Sequence, residues 1–263
     1  MDAKQERVIY LEERHDAILS KLENDDVVRI SDLSKQFGVS PATIRKDMRA
    51  LEREGLLRRT HGGAIKPQPE REMKLETAVV SARDEKVRIG KAAAQLVHDD
   101  DLLFIQAGTT CRELVRALAG RRNLTIFTND FEIAMDAERL LLDSEIILLG
   151  GVVRTGYHYT HGTEAIRQLS NYHVPTAFMS TNAFSLETGF STHRIEQANW
   201  LQTQKLVSDR QVMLLDSSKF GVHAPFSAFS ANDIDCLITD TQMNQEMRDT
   251  LAREAPNLEI VFA

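Results

Sequence analysis

Arginine and lysine side chains recur on one side of a short segment that begins near residue 41. At roughly 100° per residue of a helix, they point away from an apolar stripe of Ile44, Met48 and Leu51. Guanidinium and ammonium groups bind phosphates and the edges of guanine, so this face predicts contact with duplex DNA. The side chains that we expect to contact DNA, including those of the segment that follows, are Ser40, Thr43, Arg45, Lys46, Arg49, Arg58, Arg59 and His61.

The basic segment carries the signals of a helix with defined ends. Ser40 can accept hydrogen bonds from the first backbone N–H groups, and Pro41 suits the first helical position. Gly55 suits the left-handed residue that often follows the last turn, so the helix should run from residue 41 to about residue 54. A run of charges is also typical of a plainly solvated helix face, which is the alternative interpretation.

The neighbouring segments favour DNA binding over a solvated face. Residues 31–37 predict a supporting helix, Gly38 and Val39 a turn, and residues 56–64 two short strands around a turn. This order of parts is typical of a winged helix-turn-helix. Residues 41–66 hold 7 basic and 3 acidic residues, whereas the whole chain has a net charge of −7. A small basic patch on an acidic chain fits a sequence-reading regulator better than a general coat of nucleic acid.

Length and composition indicate a second, larger domain. The chain has 263 residues, of which 42% are hydrophobic, enough for one small and one larger core. We expect a winged helix-turn-helix domain at residues 1–66, a linker at 67–78 and an α/β domain at 79–263. The start is charged and the apolar runs are short. We therefore expect no secretory signal, no membrane partner and a cytoplasmic protein.

Short β-rich runs alternate with helical patterns in the second domain. They predict strands at residues 102–105, 124–127, 146–149, 177–179, 212–215, 236–238 and 258–262, and helices at 112–118, 131–142, 196–207 and 242–254. This alternation indicates a mainly parallel sheet covered on both faces. The two cysteines, Cys111 and Cys236, are far apart and have no metal-binding spacing, so we expect reduced, non-catalytic thiols.

Glycine, hydroxyl and charged residues follow several of the predicted strands. Ligands collect at the carboxyl ends of strands in such sheets, and a helix that begins there offers free N–H groups to an anion such as phosphate. Taken singly, each motif is also an ordinary turn or helix cap, so the prediction depends on their shared placement. The ligand-binding residues predicted in this way are Gly108, Thr109, Thr110, Thr128, Asn129, Gly150, Gly151, Asp216, Ser217, Ser218 and Lys219.

The order of these motifs resembles that of DeoR-family transcriptional regulators over nearly the whole chain. The motifs are Thr43-Ile44-Arg45-Lys46-Asp47, Leu51-Glu52, Arg59-Thr60-His61-Gly62-Gly63-Ala64, Gly108-Thr109-Thr110, Thr128-Asn129, Leu149-Gly150-Gly151 and Asp216-Ser217-Ser218-Lys219-Phe220-Gly221. The resemblance implies a repressor of a sugar catabolic operon. It implies a C-terminal domain that resembles ribose-5-phosphate isomerase and CoA transferases and binds a phosphorylated sugar as effector. It also implies that Lys86 helps to neutralise the phosphate and that Gln106 and Ser180-Thr181-Asn182 face the sugar.

Two other function classes fit the same fold. A sugar-phosphate isomerase with a DNA-binding appendage would need a general base, and the first strand end offers Gln106 instead of an acid, which leaves Asp216 as candidate. A C-terminal domain that only forms oligomers is the third alternative. For the regulator we expect no enzymatic activity, no cofactor, double-stranded operator DNA as partner, and a homodimer or larger even-numbered assembly.

Three further signals are open to more than one interpretation. His158 and His161 have a spacing that a metal could use, but no third ligand of suitable spacing is evident, so we expect no metal site. Trp200 is interpreted as a packing residue or a subunit contact, since one tryptophan on a helix makes a poor binding platform. Glu196, in the same segment, is a candidate to hydrogen-bond a sugar.

Overall fold

The computed structural model describes residues 11–25, 27–53, 57–60, 62–65, 73 and 75–263. The chain divides into two units, Met1–Arg71 and Glu72–Ala263. The sequence predicts a linker at residues 67–78, whereas a helix at Leu75–Val80 is part of the second unit. The prolines at positions 67 and 69 mark where the wing sequence ends, but no comparable signal marks where the next element begins.

The first unit contains short helices and a small antiparallel sheet. Its elements in the described residues are α1 (Leu11–Asp25), β1 (Val27–Arg29), α2 (Ile30–Phe37), α3 (Pro41–Arg53), β2 (Arg58–Thr60) and β3 (Gly63–Ile65). The strands pair antiparallel in the order β1-β3-β2. Helices α2 and α3 and the β2–β3 hairpin confirm the predicted helix-turn-helix and wing. The sequence motifs do not predict α1 and β1.

The apolar stripe of α3 lies at the centre of the first unit's core. Ile44, Met48 and Leu51 are at most 1% exposed, as the helical periodicity predicts. Helix α1 contributes Ile18 and Leu22 to the same cluster. Because one side of α3 supplies the core contacts, its opposite side is available to solvent.

Strand β3 approaches β1 so closely that only glycine fits at residue 63. A Cβ atom on Gly63 would lie 1.8 Å from the backbone oxygen of Val28, far inside van der Waals contact. The N–H of Ile30 also donates to the carbonyl of Gly62 at 2.9 Å. These contacts attach the wing to β1 and to the start of α2.

The second unit alternates strands and helices. Its helices are α4 (Leu75–Val80), α5 (Arg83–Ala94), α6 (Thr109–Ala117), α7 (Phe131–Leu140), α8 (Thr163–Leu169), α9 (Ile195–Leu206) and α10 (Gln245–Glu254), with 3-10 turns at Ser217–Lys219 and Ala231–Asp233. Its strands are β4 (Leu102–Ile105), β5 (Thr125–Thr128), β6 (Glu145–Leu148), β7 (Val152–Arg154), β8 (Tyr159–His161), β9 (Val174–Met179), β10 (Ala183–Ser185), β11 (Gly189–Thr192), β12 (Ser208–Leu214), β13 (Phe226–Phe229), β14 (Cys236–Thr239) and β15 (Glu259–Phe262). The predicted alternation is confirmed, with element ends that shift by a few residues. Across the residues that the structure describes, no helix is both long and apolar enough to cross a membrane.

The main sheet of the second unit has seven strands in the order β15-β14-β12-β9-β4-β5-β6. All neighbouring strands in it run parallel. Successive residues of a strand point to opposite faces, so Leu103 and Ile105 pack with α5, α6 and α7, whereas Phe104 packs with α8 and α9. Both faces of the sheet are therefore covered, as predicted.

Two small antiparallel pieces accompany the main sheet. Strands β7 and β8 form a hairpin, and β10, β11 and β13 form a three-stranded sheet. The sequence does not predict either piece, because these strands are three or four residues long and have no extended apolar run. Both pieces contribute residues to a cleft in the second unit.

Both cysteines are core residues. Cys111 and Cys236 are fully buried, and their thiols are free. Burial raises the pKa of the Cys236 thiol to about 11, and it also raises the pKa of Cys111. The thiolate is the reactive form of cysteine, so burial makes both side chains poor nucleophiles.

A buried ion pair joins α1 to α3. Nε of Arg14 lies 2.6 Å from Oδ2 of Asp47, and its second nitrogen donates to Oδ1 at 3.0 Å. The two side chains are 9% and 2% exposed. Charges this deeply buried are tolerated because each neutralises the other through two parallel hydrogen bonds. The pair holds the helix that carries the basic face against the rest of the first unit.

We predict that removal of one partner of this ion pair destabilises the first unit. Asp47→Ala removes the carboxylate that makes two hydrogen bonds with buried Arg14 and should reduce the free energy of unfolding by roughly 3–5 kcal/mol. A double variant, Arg14→Met with Asp47→Leu, should be more stable than Asp47→Ala because no unpaired charge is left in it. Hydrogen exchange of the α3 amides in the full chain measures both effects. Parent-like protection in Asp47→Ala would contradict the prediction.

Candidate functional site

The basic face of α3 is exposed. Arg45, Lys46 and Arg49 lie on the solvent side of the helix, opposite its buried stripe. Oγ of Ser40 accepts the N–H of Thr43 at 3.1 Å and lies 2.9 Å from the Thr43 hydroxyl oxygen. Ser40 therefore caps α3 and orients Thr43 at the start of the basic face.

The wing arginine Arg59 is held by a carboxylate of α3. Oε1 of Glu52 accepts the N–H of Arg59 at 2.9 Å, and Oε2 lies 2.6 Å from Arg59 Nε. The hydrogen bonds from the Arg59 backbone and side chain lower the pKa of Glu52. The pair fixes the wing on α3, so any contact of Arg59 with DNA competes with Glu52. Two other predicted DNA contacts, His61 and the side chain of Arg58, lie outside the described part of the chain.

The second unit contains a cleft at the carboxyl ends of its central strands. The cavity volume is about 130 Å³. Residues that directly follow β4, β5, β9 and β12 supply much of its wall, as in other parallel sheets that bind ligands. The residues that line the cleft are Met73, Leu75, Ala78, Lys86, Gln106, Ala107, Gly108, Thr109, Thr110, Asp130, Tyr157, Tyr159, Ser180, Thr181, Asn182, Thr192, Gln197, Asp216 and Lys219.

The N-terminus of α6 forms one wall of the cleft. Gly108 precedes the helix with φ of 153° and ψ of 149°, a conformation that essentially only glycine adopts. The N–H of Arg112 donates to the carbonyl of Gly108 and begins the hydrogen bonding within the helix. The N–H groups of Thr109 and Thr110, which come earlier, have no acceptor within the helix. These donors and the positive end of the helix dipole suit an anion.

Two lysines line the same cleft. Lys219, in the 3-10 turn after β12, is half-buried. Lys86 is 5% exposed, and its Nζ donates to the carbonyls of Ala78 and Ser81, each at 2.7 Å. Burial lowers the pKa of Lys86, with the charge of Asp216 acting in the opposite direction. Lys86 therefore faces the cleft and also holds the carboxyl end of α4.

Asp130, directly after β5, is a buried acid in the cleft. Its Oδ1 accepts the N–H groups of Glu132 at 2.8 Å and Ile133 at 3.1 Å, which caps α7. Burial raises the pKa of Asp130 to about 6, and the backbone N–H groups of Ile133, Glu132 and Gly108 act in the opposite direction. The cleft thus contains a carboxyl group next to the α6 terminus whose charge depends on pH.

Two further polar side chains are fixed in the cleft wall. Asp216 is 2% exposed, and its Oδ1 accepts the N–H of Ser218 at 3.2 Å and the hydroxyl of the same residue. Gln106 is 5% exposed, and its Oε1 accepts the N–H of Ser180 at 3.1 Å, which joins the ends of β4 and β9. Both side chains are held in place by the protein and offer hydrogen-bonding groups to a ligand.

The other residues predicted to bind a ligand do not line this cleft; they are Thr128, Asn129, Gly150, Gly151, Ser217 and Ser218. Asn129 is used within the protein, because its Oδ1 accepts the N–H of Ala107 at 3.0 Å and its Nδ2 donates to the carbonyl of Thr160 at 2.9 Å. The N–H of Gly150 donates to Gln168 Oε1 at 2.9 Å. The strand-end motifs therefore include residues that support the cleft from behind as well as residues that face it.

A small notch adjoins the cleft and shares four of its residues, Gln106, Ala107, Tyr159 and Gln197. The volume of the notch is about 10 Å³. Its other lining residues are Asn129, Thr160, His161, Glu196 and Trp200. Trp200 therefore borders a cavity in addition to its packing contacts, which its position in the sequence does not predict.

Several lining residues carry no signal in the sequence. Tyr159 and Thr192 lie in the short strands β8 and β11, and Leu75 and Ala78 lie in α4. They do not follow strands of the main sheet, so the strand-end rule cannot find them. The only functional signal in the sequence around Tyr159 is the spacing of two histidines. That spacing suggests a metal site and does not indicate that Tyr159 lines a cleft.

The two histidines of that stretch do not share a site. Nδ1 of His158 lies 3.1 Å from Oε1 of Glu132, whereas His161 lines the notch. Within the described ranges, no three His, Cys, Asp or Glu side chains come together as a metal site.

Both units match models of one protein family. A DeoR-like helix-turn-helix domain matches residues 14–70, and a DeoR C terminal sensor domain matches residues 81–241. The chain belongs to the DeoR family. This DeoR-family chain is therefore a helix-turn-helix transcriptional regulator whose second unit is a sensor domain, as the motif order indicates.

Relatives of this DeoR-family chain are regulators that match over nearly their full length. The HTH-type transcriptional repressor GlcR of Bacillus subtilis (strain 168) is 31% identical over 259 residues, which cover 95% of this chain and 96% of GlcR. The HTH-type transcriptional regulator GolR of Listeria innocua is 30% identical over 239 residues, or 89% of this chain and 92% of GolR. These similarities confirm a DNA-binding regulator over the enzyme alternative.

Among solved structures, ribose 5-phosphate isomerase A from Methanocaldococcus jannaschii matches the DeoR-family chain with a TM-score of 0.39 and 19% identity. The match covers 53% of this chain and 55% of the isomerase. At that score the likeness says nothing about the ligand or the chemistry of the sensor domain.

We predict that the sensor domain of this DeoR-family protein binds anions more weakly as the pH rises through about 6, the pKa of Asp130. Below that pH the Asp130 carboxyl is neutral, whereas above it the ionised group repels an anion at the α6 terminus. Sulfate, whose charge is constant over this range, should lose affinity severalfold between about pH 5 and about pH 7.5 in calorimetric titrations. Other charged groups, namely Lys86, Lys219 and Asp216, line the same cleft. A variant of Asp130 is therefore needed to assign the pH dependence to this residue.

The matched variant for this titration is Asp130→Asn. Asparagine caps a helix as well as aspartate does, so α7 should stay intact while the titratable group is removed. The affinity of Asp130→Asn for sulfate should be nearly independent of pH. A pH dependence equal to that of the parent would assign the effect to another group and refute the prediction.

Proposed function

We propose that this protein represses a sugar catabolic operon and that a phosphorylated sugar in the cleft controls its binding to operator DNA. One observation carries the effector part: helix N–H donors and two lysines converge on one cleft of an otherwise acidic domain. The repressor part is supported by GlcR, which is named a repressor. The resemblance to DeoR-family regulators implies that the effector is a phosphorylated sugar.

In this proposal the phosphate lies at the N-terminus of α6. The N–H groups of Thr109 and Thr110 and the Thr109 hydroxyl donate to its oxygens, and the ammonium of Lys219 balances its charge. Charge-assisted hydrogen bonds of this kind are roughly twice as strong as neutral ones. Asp130 weakens the site when it is ionised, so the phosphate depends on the lysine for net attraction.

The sugar hydroxyls face the buried polar side chains of the opposite wall. Asp216 and Gln106 are the groups that we assign to them, since both line the cleft and both are held by hydrogen bonds to the backbone. The sequence predicts that Asn129 binds the ligand as well, but both ends of that amide are occupied within the protein. We assign Asn129 instead to the positioning of Ala107 in the turn after β4.

In this proposal Lys86 couples the effector site to α4. Its ammonium donates to the carbonyls of Ala78 and Ser81 and borders the cleft. A dianion nearby attracts the ammonium and competes with these carbonyls, so effector binding loosens the carboxyl end of α4. This helix is the first element of the second unit along the chain, and the preceding residues lead to the DNA-binding unit. The contact thus supplies an interaction that differs between effector-bound and effector-free states, as control requires.

For DNA binding we propose that α3 enters the major groove with the wing beside it. Arg45, Lys46, Arg49 and Thr43 then reach phosphates and base edges, with Ser40 at the groove entrance. One such helix reads only a few base pairs, and two half-sites multiply the affinity. We therefore propose that the regulator acts as a homodimer or a larger even-numbered assembly.

We predict that Arg45→Ala and Arg49→Ala weaken operator binding without unfolding the protein, because both side chains are exposed. An arginine that reads a base should cost about 1–3 kcal/mol and relax the preference at one base pair, whereas a phosphate contact weakens all sequences alike. Gel-shift titrations on an operator selected from random duplexes, and on its scrambled form, distinguish the two. Lys91→Ala, an exposed lysine of α5, is the control and should bind like the parent. Parent-like binding by both arginine variants would refute the role of α3.

We predict that Lys219→Ala and Thr109→Val keep operator binding in the absence of sugar but lose the response to a phosphorylated sugar. Both side chains line the cleft, and each supplies a contact to the phosphate in the proposed arrangement. Gel shifts with and without candidate sugar phosphates measure the response. If the effector induces, the phenotype in cells is permanent repression. Thermal stabilisation by the same ligands tests binding directly, since about 2.7 kcal/mol is expected at 100 times the Kd.

Lys91→Ala again serves as the control, because this exposed lysine does not line the cleft and should respond like the parent. A parent-like response by both cleft variants would show that the effector binds elsewhere. If no sugar phosphate stabilises the parent protein, the second unit serves another purpose, such as assembly alone.

A further inference from the structure

Two residues that line the notch each carry a buried nitrogen atom that has no hydrogen-bond partner in the described part of the chain. The two atoms are Nε1 of Trp200 and Nδ1 of His161. Trp200 is 3% exposed, and its indole N–H can only donate. Burial of such a donor without an acceptor is costly, and buried tryptophans usually have a partner for this group. The indole N–H therefore has no acceptor among the described protein groups.

The size and position of the notch restrict what the acceptor can be. A volume of about 10 Å³ is close to what one water-sized group needs. Gln106, Tyr159 and Gln197 line both the notch and the cleft, so a small group can enter the notch while its parent molecule occupies the cleft. The indole ring packs on Phe104 with centroids 6.0 Å apart, which holds the ring against the core.

The chemistry of the notch suits a hydroxyl group. Glu196 also lines it, and its carboxylate lies 3.0 Å from Arg194. The backbone N–H of Glu196 itself and the charge of Arg194 lower the pKa of this carboxyl, so Glu196 is an ionised acceptor. A group that bridges Trp200 and Glu196 must accept one hydrogen bond and donate another, and a hydroxyl can do both. A phosphate oxygen would be repelled by the carboxylate, and a methylene would leave the indole unpaired.

We propose that the notch is the subsite for one hydroxyl group of the effector sugar, with Trp200 Nε1 as its donor and Glu196 as its acceptor. This inference rests on the proposed binding of a phosphorylated sugar in the cleft. The phosphate site serves every sugar phosphate alike, so the notch helps Asp216 and Gln106 to decide which sugar is bound tightly. A site built to hydrogen-bond a hydroxyl rejects an analogue that lacks it, because its buried groups are then left unpaired.

Fluorescence tests the position of the ligand. Trp200 is the single tryptophan of the chain, so tryptophan emission has one source. The probes are glucose 6-phosphate, galactose 6-phosphate, fructose 1-phosphate and ribose 5-phosphate, with inorganic phosphate as the control ligand that reaches only the α6 terminus. A sugar phosphate that stabilises the protein should shift the emission, whereas inorganic phosphate should leave it unchanged.

A conservative variant tests the hydrogen bond. Trp200→Phe keeps an aromatic ring against Phe104 but removes the N–H, and calorimetry should show about a tenfold loss of sugar phosphate affinity relative to inorganic phosphate. Deoxy analogues of the bound sugar identify the hydroxyl, since the analogue that binds the parent weakly should lose nothing further in Trp200→Phe. The control is Leu201→Val, a buried change on the same helix that packs in a different cluster and should lower stability without changing the affinity ratio.

The outcomes separate this inference from the proposed function. If a sugar phosphate stabilises the parent and Thr109→Val abolishes the stabilisation, yet Trp200→Phe binds that sugar equally well, the subsite is refuted and the proposed function stands. An equal emission shift with inorganic phosphate would also refute the subsite. If none of the four sugar phosphates stabilises the parent, the proposed effector site fails and the subsite fails with it.

Discussion

The parallel arrangement of the central strands determines where the sensor domain can bind a ligand. Strands β4, β5, β9 and β12 run in one direction, so the residues that follow all four lie at the same edge of the sheet. The chain must turn there into α6, and the backbone of Gly108 makes that turn possible. Donors, acids and lysines that are far apart in sequence therefore meet in one cleft.

Two features of this structure can be predicted from the sequence, namely the helical periodicity of buried residues and the residues that follow each strand. The buried stripe of α3 is predicted because Ile44, Met48 and Leu51 repeat at helical spacing, and the same argument gives the exposed arginines. Lys219 and Asp216 are found in the cleft because they follow a strand of the main sheet. In each case a local pattern and a general packing rule are sufficient, since burial of one face determines the direction of the other.

The remaining features depend on contacts between distant segments, for which the sequence has no local signal. Asn129 and Asp130 are neighbours after β5, yet the amide of Asn129 supports Ala107 from within the protein while the carboxyl of Asp130 faces the cleft. Trp200 looks like a packing residue on a helix, and it does pack, but it also lines a notch with His161 of β8, and its indole nitrogen has no hydrogen-bond partner among the described residues. Side-chain direction at these positions follows from tertiary packing, which residue type and spacing do not reveal.

In the proposed mechanism, a small change at Lys86 is what couples the cleft to α4. Its buried ammonium makes two hydrogen bonds to carbonyls at the end of α4, at 2.7 Å each. Hydrogen bonds that involve a charged group contribute roughly 1.5–3 kcal/mol each, and allosteric coupling between two sites is typically about 1–3 kcal/mol. In the proposed mechanism, the loss of one of these two bonds is thus of the size that allosteric control requires. Because burial already lowers the pKa of Lys86, the ammonium gains more from a nearby dianion than a solvated lysine would. The burial that makes this lysine costly would thus, in the proposed mechanism, strengthen its attraction to an anion in the cleft.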